Sequence, residues 1–84
     1  MTKEKIYQIV KNTIVEILPG IQVEGIRIEE SLKDIGANSI DRMDIVVRII
    51  EIIGINIPLV EFAKVTNIQG LVDILYEKKM SGLK

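Results

Sequence analysis

One hydroxyl stands where chemistry could be done: Ser39, in Gly36-Ala37-Asn38-Ser39-Ile40, at the head of an apolar run that reaches Ile53 at helical spacing. A serine can act as a nucleophile or accept a covalent group. The first role needs a base, and the chain has no histidine to supply one near neutral pH and no cysteine as an alternative nucleophile. A base would have to come from a lysine or a carboxylate, and a chain this small leaves little room for a substrate cleft. Without His and Cys the usual zinc sets are missing. The 12 Asp and Glu residues include no Asp-x-Asx-x-Asx-Gly calcium loop. Catalysis is therefore disfavoured, and the acceptor role is left. A serine after Gly-x-x at a helix start is more commonly a plain turn or cap residue, so the surrounding segment has to decide.

The elements that would position Ser39 can be read locally. Asn38 suits an N-cap, where an Asx oxygen accepts a hydrogen bond from an amide two or three residues on. Asp41 then falls at the third helical position, near the positive end of the helix dipole. Ser39 sits in the first turn after the pliant Gly36-Ala37 approach, its hydroxyl expected in solvent.

At 84 residues the chain reads as one domain, 1–84, near the lower size limit for folding unaided. No disulfide can help it, so the core must suffice. It contains 18 isoleucines. Isoleucine costs roughly 0.4 kcal/mol against alanine in a helix, but burying it returns roughly 1.5–3 kcal/mol, so packing outweighs propensity. A net charge of −1 with mixed signs and no basic run argues against nucleic acid as a partner. Lys3, Lys5 and Lys11 interrupt any signal-peptide core. The most apolar window, Ile45 to Val60, carries Arg48 and Glu51 and ends near Pro58, which argues against a membrane span. A soluble cytoplasmic protein, monomeric by default, is expected.

Along the chain, Ile6, Ile9, Val10, Thr13, Ile14, Ile17 and Leu18 form one face of a helix from about Lys3 to Leu18, with Thr2 as N-cap and Pro19-Gly20 as its end. A long connection follows to Gly36. Ile26-Arg27-Ile28 alternates like a strand but has no partner strand, so its apolar residues are expected to peg a loop onto the helices, with Ser31 capping a short turn around Leu32. The second helix, Ser39 to Ile53, is apolar on two stripes: Ile40, Met43, Val47, Ile50 and Ile53, and Ile45, Ile49 and Ile52, with Val46 between. Such a helix is expected at the centre of the bundle. Asp44 and Arg48 have the spacing of an ion pair. Gly54 should end the helix in the left-handed conformation. After the extended Ile55-Asn56-Ile57-Pro58, a short helix over Leu59–Ala63 and a last helix to about Lys79 follow. Thr66 with Gln69 suits a capping box, Ile68, Leu71, Val72 and Leu75 form the inner face, and the tail from Ser81 to Lys84 should fray. The sum is an all-α four-helix bundle of three longer helices and one short one, with a long first loop.

The segment Ser31-Leu32-Lys33-Asp34-Ile35-Gly36-Ala37-Asn38-Ser39-Ile40-Asp41, with the helix after it and Ile55-Asn56-Ile57-Pro58, resembles the acyl carrier proteins over nearly the whole chain. In that family the serine of a Gly-x-Asp-Ser-Leu motif carries 4'-phosphopantetheine. Ser39 occupies that place, Gly36 matches the glycine, Ile40 replaces leucine and Asn38 replaces the acid. Asparagine keeps the capping role and loses a charge. Pro58-Leu59-Val60-Glu61-Phe62-Ala63 and Asn67-Ile68-Gln69-Gly70-Leu71-Val72-Asp73 resemble the free-standing donor carriers of polyketide β-branching cassettes. Alternatives are a carrier for fatty-acid or other acyl or aminoacyl groups, or an unmodified adaptor bundle.

The donor resemblance implies a set of partners. A phosphopantetheinyl transferase would modify Ser39, and an acyltransferase would load malonyl. A ketosynthase-like decarboxylase would leave acetyl. An HMG-synthase-like (3-hydroxy-3-methylglutaryl-synthase-like) enzyme would take the acetyl unit. Partner recognition is expected at Asn38, Ile40, Arg42, Met43, Asp44, Val47 and Arg48. For Met43 and Val47, core packing is the competing expectation. Arg42, one turn from Ser39, has no evident core role.

Overall fold

The structure is a computed structural model and describes residues 1–81. The expected fraying of the tail falls on 82–84, outside the described residues; Ser81 itself ends the last helix. The order is α1 (Lys3–Ile17), a single 3₁₀ turn (Val23–Gly25), α2 (Ser39–Ile53), a short 3₁₀ helix (Leu59–Lys64) and α3 (Ile68–Ser81). There is no strand among the described residues, so Ile26-Arg27-Ile28 is loop as expected.

In α1, Thr2 Oγ1 accepts from the Lys5 amide at 3.1 Å, so the expected cap is present. Ile6, Val10, Thr13 and Ile14 are buried, and the Thr13 hydroxyl donates to the Ile9 carbonyl at 2.8 Å. That bond satisfies a polar group which would otherwise be costly to bury. The helix stops one residue earlier than the apolar spacing suggests, with an extended Leu18 as C-cap.

The core lies between α1 and the two other α-helices. α1 packs against both α2 and α3, so it is the shared member of the bundle. This corrects the expectation that α2 would be central. On α2, Ile45, Val46, Ile49 and Ile53 are buried, but Ile40 is 71% exposed, Met43 56%, Ile52 51% and Val47 38%. The reason is that α3 docks on α1, which leaves one side of α2 open.

The long connection is pegged as its apolar residues require. Ile26 and Ala37 are buried, and Ile28, Leu32 and Ile35 pack against the core from its edge. Tyr7 donates its hydroxyl to the Ile26 carbonyl at 3.3 Å. The loop also caps α3: the amides of Ile68 and Gln69 donate to the carbonyls of Glu30 and Ile28, both at 2.8 Å. Asn67 Oδ1 accepts from the Gly70 amide at 2.8 Å. The cap of α3 is thus Asn67, one residue beyond the expected Thr66, because the helix starts at Ile68. Gln69 instead donates to Asp73 on the next turn. The expected inner face of Ile68, Leu71, Val72 and Leu75 is buried. The short helix runs one residue beyond the expected Ala63, and Lys78 of α3 pairs with its Glu61 at 3.2 Å.

Candidate functional site

Ser39 is placed by two successive turns that fix themselves from opposite ends. In the first, the Asp34 amide donates to Ser31 Oγ at 3.0 Å and the Ser31 amide donates to Asp34 Oδ2 at 3.2 Å. The turn closes with the Ala37 amide on the Leu32 carbonyl at 3.0 Å, which requires Gly36 at φ +100°, a conformation that L side chains rarely adopt. In the second, Asn38 is the N-cap of α2 and forms a complete capping box with Asp41. Ser39 is the first helical residue and is exposed. At the far end, Gly54 adopts the left-handed conformation at φ +78° as expected, and Lys79 Nζ donates to the Ile53 carbonyl at 3.2 Å.

Beside Ser39 lies a groove of about 510 Å³. Its walls come from the turn before α2, the first two turns of α2, the short helix and the start of α3, with Leu32, Met43, Val46, Phe62 and Leu71 supplying apolar surface. Of the residues expected to matter, Ser39, Arg42 and Met43 line it together. Ile40, Asp44, Val47 and Arg48 are also exposed on α2 but outside the groove. Met43 and Val47 are surface residues, so core packing does not account for them.

Arg42 lies outside the core, as expected, but it has a structural tie: its Nη1 donates to the Ala37 carbonyl at 3.2 Å and braces the approach to Ser39. Arg48 pairs with Glu16 of α1 at 3.5 Å in place of Asp44, because the neighbouring helix brings a carboxylate within its reach. Both partners are exposed, so the pair contributes about 0–1 kcal/mol. Sequence reasoning missed Lys33, Leu59 and Phe62 of the groove, and the exposed Val60 beside it. The one available signal was that a short helix after Pro58 can bury only one of its sides.

Among the described residues no group of three or more His, Cys, Asp or Glu side chains is arranged to hold a metal. No described helix is long and apolar enough to cross a membrane. What the arrangement offers is one exposed hydroxyl on a capped helix start, beside an apolar groove. Those are the features of a carrier, which presents a covalently held group to other proteins.

The comparisons with known proteins agree. The sequence matches the phosphopantetheine attachment site family over residues 8–75, and the chain belongs to that family. It is 33% identical over 81 residues to the polyketide biosynthesis acyl-carrier protein AcpK of Bacillus subtilis strain 168, covering 96% of this chain and 99% of that one. It is also similar to a chain in the crystal structure of the curacin biosynthetic pathway HMG synthase in complex with acetyl donor-ACP. That match has a TM-score of 0.86 and 33% identity, over 93% of this chain and 100% of the other. The protein is an acyl carrier protein of the β-branching type, and its cofactor is covalent 4'-phosphopantetheine. The site fits that group: the hydroxyl is exposed, and a groove with apolar walls opens beside it.

Proposed function

We propose that Ser39 is the attachment point and that the chain, as one domain over 1–84, is a non-catalytic donor of acetyl units. The observation that carries the reading is the exposed Ser39 at the capped start of α2, beside the groove. When attached, phosphopantetheine supplies a thiol that holds acyl groups as thioesters. The residues of the chain itself do the rest. Asn38 and Asp41 fix the start of α2, Arg42 braces the segment before it, and the groove gives the arm an apolar wall.

The likeness to a donor carrier solved with an HMG synthase supports an HMG-synthase-like acceptor of the acetyl unit. A phosphopantetheinyl transferase, a malonyl-loading acyltransferase and a ketosynthase-like decarboxylase complete the set; in the last step the bond from the α-carbon to the carboxylate breaks, carbon dioxide leaves, and the α-carbon takes up a proton to give acetyl. A monomer in the cytoplasm suits a part that must visit each of them. Ile40, Met43 and Val47, exposed on one side of α2, form an apolar strip beside Ser39, and Asp44 and Arg48 give it charged flanks. Apolar anchors within a polar rim are how interfaces concentrate binding energy.

The test is intact mass before and after incubation with coenzyme A and a promiscuous phosphopantetheinyl transferase. Wild type should gain one phosphopantetheine group and Ser39→Ala none. Malonyl-loaded protein should then pass acetyl to an HMG-synthase-like enzyme after decarboxylation. Absence of any mass gain in the folded wild type would leave the adaptor reading standing. Loading and transfer through other enzymes only would leave a carrier of another pathway.

A further inference from the structure

The groove beside Ser39 carries charge of one sign. Its charged lining residues are Lys33, from the turn before α2, and Arg42, one helical turn beyond Ser39. This occurs in a chain whose 12 acidic residues outnumber its 11 basic ones. Of the acids nearest Ser39 in the sequence, Asp44 lies outside the groove, and Asp34 and Asp41 each accept from a backbone amide. Asp34 Oδ2 accepts from the Ser31 amide at 3.2 Å, and Asp41 Oδ2 accepts from the Asn38 amide at 3.3 Å. Arg42 is held in place by its Nη1 bond to the Ala37 carbonyl. A guanidinium has five N–H donors, so others are left for a second acceptor.

We propose that Lys33 and Arg42 form a cationic seat for the phosphodiester that joins Ser39 to its arm. The inference rests on the attachment at Ser39 proposed above. A phosphodiester there bears one negative charge, and its phosphorus is bonded directly to Ser39 Oγ. Arginine suits it because the planar fork of donors matches phosphate oxygens, while lysine contributes a point charge. The positive end of α2 attracts the same anion, but it does so for any group on a first-turn serine. The two side chains add charge from within the groove itself. The arm would be held at its base, with its first segment directed along the apolar wall.

The experiment compares thermal unfolding of apo, holo and malonyl-loaded protein at low and high salt. Wild type, Arg42→Gln, Arg42→Lys and Lys33→Gln are compared, with intact mass confirming the state of each sample. At low salt, attachment should raise Tm in wild type by roughly 2–4 °C more than in Arg42→Gln, the scale of an exposed ion pair in a domain of this size. That excess should fade at about 1 M salt, return in part with Arg42→Lys, and shrink also in Lys33→Gln. Using the apo-to-holo difference within each variant removes the effect of losing the Ala37 bond. Lys33→Gln serves if Arg42→Gln is refused by the transferase or does not fold. An equal apo-to-holo change in wild type and both Gln variants overturns the proposal. So does an excess that emerges only on malonyl loading, which would assign the cations to the carboxylate of the cargo. A wild type that gains no mass instead refutes the Ser39 attachment, and this seat with it.

Discussion

Asn38 and Asp41 hold each other's backbone: Asn38 Oδ1 accepts from the Asp41 amide at 2.8 Å, and Asp41 Oδ2 accepts from the Asn38 amide at 3.3 Å. Ser39 and Ile40 lie between two locked residues, so the neighbours of Ser39 fix its place. Replacing Asn38 by alanine removes the cap and should cost about 1 kcal/mol, a fall in Tm of roughly 4–8 °C. Asn38→Asp keeps the acceptor and adds a charge at the positive end of α2, so stability should remain within about 0.5 kcal/mol of wild type. Thermal melts of the two apo variants check this. Equal losses in both would show that the capping oxygen is not what holds the turn.

The exposed and buried residues of α2 should separate stability from recognition. Ile49 is fully buried, and Ile49→Ala should cost about 2–5 kcal/mol. Met43 is more than half exposed, so Met43→Ser should stay within about 0.5 kcal/mol of wild type. If Met43 is an anchor for the HMG-synthase-like partner, the same change should weaken acetyl transfer roughly tenfold, the equivalent of about 1.4 kcal/mol. Transfer at the wild-type rate would remove Met43 from the interface.

The contrast between those residues also marks how far the sequence could be read. Local devices were legible: Thr2, the Ser31 turn, Asn38 with Asp41, and Gly54 each act within a few residues of themselves. The inner face of α3 was legible because its apolar period has one phase. On α2 the period has two phases, and only the docking of α3 on α1 decides which is buried. The partner of Arg48 was hidden for the same reason, since Glu16 is far away in sequence and near in space. Thr66 and Asn67 offered two capping frames one residue apart, and the loop carbonyls of Ile28 and Glu30 accompany the second. Ser39 was the most legible site residue, while Lys33 needed the geometry of the turn to reach the same groove.

Arg42 joins the approach segment to α2, and reversing its charge tests both its roles. Arg42→Glu releases the Ala37 carbonyl, which should lower apo stability by about 0.5–1.5 kcal/mol while leaving the helical circular-dichroism signal intact. The same change should slow transfer to the partner. A melt and a transfer assay on one preparation separate the effects, because a merely structural arginine would change the first alone. Unchanged transfer kinetics would remove Arg42 from the recognition surface.

Tyr7 pins the long loop to α1 and gives the fold an alkaline limit. Its hydroxyl donates to the Ile26 carbonyl at 3.3 Å, and Lys11 Nζ stands 4.4 Å from the centre of its ring. Burial raises the phenol above its ordinary value of 10.0, and the carboxylates of Glu29 and Glu30 push it the same way. The folded state therefore holds this proton more tightly than the unfolded chain does. The resulting stabilisation is complete below the unfolded value, near 10, and is lost as pH rises through the higher folded value. Tyr7→Phe should cost about 0.5–1 kcal/mol at neutral pH through the lost hydrogen bond. The gap between wild type and variant should then narrow between about pH 8 and about pH 11, since only the wild type has a phenol to ionise. Urea unfolding at the two pH values reads the gap directly. A gap that stays constant would mean that the loop is held by Ile26 and its apolar neighbours without help from the Tyr7 hydroxyl.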